Sequence, residues 1–364
     1  MPISTRLCLF ALVNWLPATA ADPAAKKATQ AIATVESSLK TAGGNIRQFA
    51  LDGDADTFFA SDKNPGKDDH FTLTFDRPVD IKKIDLWTGR PNGDDFLGSG
   101  VLEVSTDGKS FKEYAKLSWR ATRAGVQTLV FAQDQLPQKV QAVRIKTGEL
   151  DHPLVIREIK IESDPPVAVC KYPVEIALDV TDAPEMKDWG EKVVRICEGA
   201  YPMINDELNS DGFKPATLIT MTLKKDYRGV AATGGTRITG SAKFFQDHPD
   251  DVGAMVHETV HVVQQYRTRN NPGWLVEGIA DYVRFFKFEP GKIGRINADR
   301  AKYDGSYRVT AAFLNYATEK YDKDLVKKLN KAMRDGEYKE DLWKEFTKKT
   351  VQELDEEWRA SLKK

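Results

Sequence analysis

The stretch Asp250-Asp-Val-Gly-Ala-Met-Val-His257-Glu258-Thr-Val-His261-Val-Val-Gln-Gln-Tyr266 decides how the second half of the chain is read. Val252, Met255, Val256, Val260 and Val263 recur at helical period, and Pro249 with Asp250 and Asp251 suits a helix first turn. Positions four apart share a helix face, so His257 and His261 can aim imidazole nitrogens at one cation. Glu258 is rotated about 100° away. That places its carboxylate beside a water on the cation, where a general base belongs. After Asn271-Pro-Gly273 comes Trp274-Leu-Val-Glu277-Gly-Ile-Ala-Asp281-Tyr282-Val-Arg284, a second helix with carboxylates at i and i+4. A catalytic zinc takes three protein ligands and keeps one position open, so Glu277 completes a His₂Glu set. Asp281, one turn on, can accept the free ring N–H of a histidine ligand.

These residues have neighbours that sharpen the reading. Gly229-Val-Ala-Ala232, residues 238–245, His248-Pro-Asp-Asp-Val-Gly253, the Glu277-Gly-Ile-Ala-Asp281-Tyr282 string and Tyr307-Arg-Val-Thr-Ala-Ala-Phe-Leu314 resemble the plant basic secretory protein family of zinc peptidases. HExxH followed by Glu-x-x-x-Asp is similar to the glutamate-zincins. The resemblance spans about residues 173–362 and implies an α+β zincin-like metallopeptidase domain. It implies Zn²⁺ on His257, His261 and Glu277, with Glu258 moving the proton. Tyr307 is the candidate donor to a developing oxyanion because it lies in the family-like string, with core packing as the alternative. Residues 236–242, just before the metal helix, read as a strand that could pair an extended peptide by edge addition, or equally as a buried core strand.

Upstream the pattern changes. Phe71-Thr-Leu-Thr-Phe75, Lys83-Ile-Asp-Leu-Trp87, Val101-Leu-Glu-Val-Ser105 and Val143-Arg-Ile-Lys146 alternate as strands between turns such as Asp107-Gly108, which predicts an antiparallel sandwich. Ser163-Asp-Pro-Pro-Val167 breaks the pattern, so we expect domains at residues 29–163 and 168–364. The string Phe49-Ala-Leu-Asp-Gly-Asp-Ala-Asp-Thr57, with residues 101–111 and 156–161, resembles the discoidin or factor V/VIII type C family of galactose-binding-like, jelly-roll sandwiches. By that resemblance Asp52, Asp54, Thr57 and Glu158 would hold a structural Ca²⁺, and hard oxygen donors at such spacing suit it. A polar turn capped by Asp52 and Asp54 is the alternative. The resemblance also implies sugar binding on loops at one end, where Trp87, Arg90, Asn92 and Trp119 are candidates.

The whole chain has 364 residues, 53 Lys+Arg against 54 Asp+Glu and a net charge of -1. Such balance argues against a nucleic acid partner, and near neutrality departs from the basic family's name. Residues 1–20 carry one arginine, an apolar run at 7–16 and a small-residue close at Ala20, the layout of a cleaved secretory leader. No stretch reads as a membrane span. Without the leader and its Cys8, Cys170 and Cys197 remain, and an exported chain with an even pair predicts a disulfide, against two buried thiols. The sequence thus points to a secreted or periplasmic zinc metallopeptidase acting on protein or glycoprotein, with a module for carbohydrate or cell-surface substrate. A non-catalytic carbohydrate-binding or adhesion protein retaining the peptidase scaffold is the alternative.

Overall fold

The computed structural model describes residues 30–118, 126–130, 137–266 and 270–363. Residues 1–20, read above as a leader, lie outside the described residues, as do Cys8 and Trp119. The first half holds β1 (Ala33–Ser37), β2 (Phe59–Ala60), β3 (His70–Thr88), β4 (Ser99–Ser105), β5 (Lys112–Ser118), β6 (Val126–Val130), β7 (Val140–Lys146) and β8 (Val155–Asp164). The strands expected at 71–75 and 83–87 are one bent strand, β3. Its first part pairs with β1 and β7, its second with β8 and β6, all antiparallel. The register with β7 slips between Thr74 and Val79, around Pro78, which has no N–H to give the ladder. A single strand thereby crosses between the two layers of a sandwich, as bent strands do at such corners. Phe59, Phe71, Leu73, Leu86, Ile145 and Ile159 fill the core between them.

The second half is α+β. It runs β9 (Glu175–Asp179), α1 (Lys187–Leu208), β10 (Leu218–Lys224), β11 (Ala231–Gly234), β12 (Arg237–Ser241), α2 (Ala242–Asp247), α3 (Gly253–Gln264), α4 (Gly273–Val283), α5 (Tyr307–Lys320), α6 (Leu325–Asp335), α7 (Asp341–Thr347) and α8 (Val351–Ser361). The sheet order is β11-β12-β10-β9, with β9, β10 and β12 parallel and β11 antiparallel. Of the two readings of residues 236–242, this supports the core strand and excludes the edge. Strand β12 is paired on both sides and buries Ile238, Gly240 and Ser241, so the free edge belongs to β11 instead. Among the described residues no helix is long and apolar enough to cross a membrane.

Sandwich and helical half meet through buried charge. Arg47 lies 3.0 Å from Glu198 and 3.2 Å from Glu175, and Arg195 holds the other Glu198 oxygen at 2.5 Å. Thr41 donates to the Glu175 carboxylate, and the Val174 N–H donates to Gln48 Oε1. All four long charged side chains of this group find partners, as burial of charge requires. The expected disulfide is absent: Cys170 and Cys197 are free thiols. Cys197 lies inside the helical core on α1, whereas Cys170 packs against the sandwich core. Burial pushes both thiols up to about 12.

Candidate metal centre

Helix α3 starts at Gly253, later than Pro249-Asp-Asp251 suggested, because Asp251 is drawn to Arg284 at 2.5 Å. A Cβ on Gly253 would lie 2.3 Å from Glu289 Oε1, so only glycine lets the helix start this close to that ion pair. The far end turns at Gln265, whose φ of 45° is left-handed. Arg334 there donates to the terminal carbonyls of Val263 and Gln264 at 2.9 and 3.2 Å, satisfying groups the helix leaves open. Helix α4 packs on α5 through Gly278: a Cβ there would sit 2.1 Å from Thr310 Cγ2. The glycine of the Glu277-Gly-Ile-Ala-Asp281 string is therefore a close-approach residue, and it sets α5 beside the site.

The two helices converge as the spacing predicts. Nε2 of His257 lies 3.0 Å from Nε2 of His261, and Glu277 Oε2 lies 3.2 and 3.3 Å from these two nitrogens. The outer nitrogens are engaged, His257 Nδ1 with Asp281 at 2.6 Å and His261 Nδ1 with Gln264 Oε1 at 2.7 Å. Both acceptors make Nδ1 the protonated nitrogen, which leaves Nε2 to present a lone pair. Three electron-rich atoms facing one another within 3.3 Å repel unless positive charge sits among them. For bonds of about 2.0–2.1 Å in tetrahedral geometry, ligand atoms stand roughly 3.3 Å apart, so the triangle fits Zn²⁺. Among the described residues this is the one set of His, Cys, Asp or Glu donors gathered this way.

The electrostatics agree. Burial alone would lower the His257 imidazole, but hydrogen bonds to Asp281 and Glu277 override it and lift the group to about 9. Burial would raise Glu277, yet His257 and His261 hold it down at about 2. Both shifts come from the same close contacts, which favour positive charge on the imidazole side and negative charge on Glu277.

Glu258 is 7% exposed and points into the same cleft. Its Oε2 accepts from Thr233 Oγ1 at 2.7 Å, and Thr233 stands on the edge strand β11. A cleft of about 820 Å³ runs between β11 and the donors, and Tyr307 closes one side. The Tyr307 ring stacks 6.1 Å from that of His257 and is 55% exposed, so it is a cleft residue and not a core one. Its φ of 46°, after 60° at Ser306, is costly for residues with a Cβ and holds the ring over the donors. The charge of Glu277, then burial, raises the phenol, which keeps it a proton donor at neutral pH. Other tyrosines are occupied: Tyr266 donates to Asn330, and Tyr303 packs edge-on against Trp274. His248 lies outside the cleft against Phe244.

Thr233 and Gln264 were not singled out from the sequence. Gln264 follows His261 by three positions and could have been found on the same helix turn; Thr233 carries no local signal.

In the sandwich, Asp52, Asp54 and Thr57 form one turn, with Thr57 Oγ1 donating to Asp52 Oδ2 at 2.8 Å and the Asp54 N–H to Oδ1 at 3.0 Å. Glu158 reaches this turn from β8 and accepts the Gly53 N–H at 2.9 Å. Its Oε1 is buried and has no partner, and burial pushes the carboxyl up to about 7. Arg90 is paired with Asp95 at 2.6 Å and Asn92 with Asp94 at 2.8 Å, so these sugar-site candidates serve their own turn. Trp87 has Lys160 over its ring at 4.9 Å.

Residues 178–358 match the family model of BSP, a peptidase of plants and bacteria. This half of the chain is similar to the BSP family. Residues 32–163 match the F5/8 type C domain model, so the half similar to BSP follows a sandwich that matches that type. No curated protein matches the chain. Similar solved structures include a CBM32 module from a family 31 glycoside hydrolase of Clostridium perfringens, 20% identical over 35% of this chain and 92% of that one, at a TM-score of 0.32. Another is the family 32 module of C. perfringens NanJ with galactose, 14% identical over 36% and 97%, at 0.31.

Proposed function

We propose that the chain is an exported zinc-dependent metallopeptidase that hydrolyses peptide bonds of extended protein segments, with a sandwich that binds carbohydrate or a cell-surface substrate. The observation that carries the peptidase reading is the triangle of His257, His261 and Glu277 donor atoms, 3.0 to 3.3 Å apart with both Nδ1 atoms engaged, beside Glu258. Those three residues would hold Zn²⁺, which when bound polarises a carbonyl and makes a water more acidic. Glu258 takes the proton of the attacking water and returns it to the departing amine. Thr233 keeps that carboxylate on the cleft side. Tyr307 donates to the oxygen of the scissile carbonyl as charge gathers there. The open edge of β11 offers main-chain groups to an extended peptide, and only the antiparallel partner β12 occupies its other side.

Export rests on the leader pattern of residues 1–20 alone. Glycan recognition rests on the type of the sandwich domain. A Ca²⁺ on Asp52, Asp54, Thr57 and Glu158 is supported by the buried, unpartnered Glu158 Oε1, the kind of oxygen a hard cation satisfies. The test of the peptidase reading is Glu258→Gln in the full chain. It should retain one equivalent of Zn²⁺ and lose cleavage of a protein substrate; a variant that cleaves at the wild-type rate refutes the role of Glu258.

A further inference from the structure

We infer that Gln264 is the positioning residue of the metal centre, fixing both the tautomer and the direction of His261. The inference rests on the metal reading above and concerns a residue outside the donor set. Gln264 is 2% exposed and sits one helical turn beyond His261. Its Nε2 donates to the Val276 carbonyl at 3.0 Å. A carbonyl only accepts, so the amide nitrogen must face Val276 and the amide oxygen must face His261. That oxygen is the atom 2.7 Å from His261 Nδ1. The proton of a neutral His261 is therefore held on Nδ1, and Nε2 is left bare toward His257 and Glu277.

The same amide acts on a second donor. Val276 immediately precedes Glu277, so a single side chain joins the ring of one donor to the backbone from which the other projects. With Gln264 in place, the 3.3 Å separation of His261 Nε2 and Glu277 Oε2 follows from two hydrogen bonds inside a buried pocket. The anchor is itself fixed, because Arg334 grips the Gln264 carbonyl and stacks over Phe213 at 3.7 Å. His257 has a carboxylate, Asp281, in the corresponding role; His261 has a neutral amide. The centre thus gains orientation on both rings while adding only one negative charge behind them.

The test uses the full chain with Zn²⁺ alone as the probe. Zinc affinity is measured by competition with a chromophoric chelator, and the melting temperature of the metal-free protein is measured alongside. Gln264→Met keeps the length of the side chain and loses both hydrogen bonds; it should weaken zinc binding about 10- to 100-fold. Gln264→Glu keeps an oxygen for Nδ1–H but cannot donate to the Val276 carbonyl, so it should recover part of that loss. A residue that only packs would change the melting temperature and leave zinc affinity unmoved. Wild-type affinity in Gln264→Met, or a Gln264→Glu as weak as Met, overturns the inference. Should Gln264→Met not fold, Gln264→Asn, one methylene short of Nδ1, makes the same comparison. A wild-type chain that binds no zinc overturns the metal reading itself, which separates the two failures.

Discussion

Thr233→Val isolates the orientation of Glu258, the proposed general base. Thr233 Oγ1 lies 2.7 Å from Glu258 Oε2 and 2.9 Å from the Glu258 carbonyl oxygen, and a hydroxyl has one proton to give. The shorter contact, to the carboxylate, takes it. Valine has nearly the same shape and suits a strand, and the backbone pairing of Thr233 with Ile238 is untouched. What is lost is one hydrogen bond to a charged acceptor, about 1.5–3 kcal/mol. At about 1.4 kcal/mol per factor of ten, kcat should fall between about tenfold and a hundredfold. Zinc content and KM should stay near wild type, since neither the donors nor the β11 backbone changes. Thr233→Ser, which restores the hydroxyl, should recover most of the rate. Steady-state hydrolysis of a quenched fluorescent peptide reads all three variants. An undiminished kcat in Thr233→Val, or a serine variant as slow as valine, refutes the reasoning.

Gly278→Ala places a Cβ 2.1 Å from Thr310 Cγ2, and Thr310 cannot turn away because its hydroxyl is bound to the Tyr303 carbonyl. Overpacking of this kind costs about 1–3 kcal/mol, so a thermal melt should shift down, and an unchanged melt counts against the packing account. Arg47→Met leaves Glu175 without its guanidinium and Glu198 with Arg195 and the Ile176 N–H, at a cost of about 3 kcal/mol by the scale of broken buried pairs; a denaturant midpoint equal to wild type would contradict it. Burial holds Glu158 up to about 7 from an ordinary 4.5, so the folded chain keeps a proton there that the unfolded chain releases. Stability from this group is full below about 4.5 and is lost as pH rises through about 7. Ca²⁺ favours the ionised form, so it should raise the melting temperature more at pH 8 than at pH 5, and equal shifts in calorimetry would remove the site.

Much of the candidate metal centre was legible because its members sit at helical spacing. His257 and His261 share a face of α3, Glu277 and Asp281 share one of α4, and fifteen residues separate the two sets. Thr233 was not legible, since its contact with Glu258 depends on which strand ends at the sheet edge. Strand alternation is the same for an edge and an interior strand, which is why residues 236–242 read equally as either, and only the sheet order shows that β11 holds the edge. In the sandwich, Asp76-Arg-Pro78 looks like a turn between two strands, but the chain bends there without reversing. The cysteine pair misled for another reason: parity says nothing about distance, and the two thiols occupy separate cores.

The most direct test of the account is digestion of an unstructured protein such as casein by the purified full chain as isolated, after chelation, and after return of one equivalent of Zn²⁺. The account predicts that cleavage is lost on chelation and restored by zinc, and that zinc-loaded Glu258→Gln stays inert. Cleavage that persists without metal, or a fully zinc-loaded wild-type chain that cleaves nothing, would contradict it.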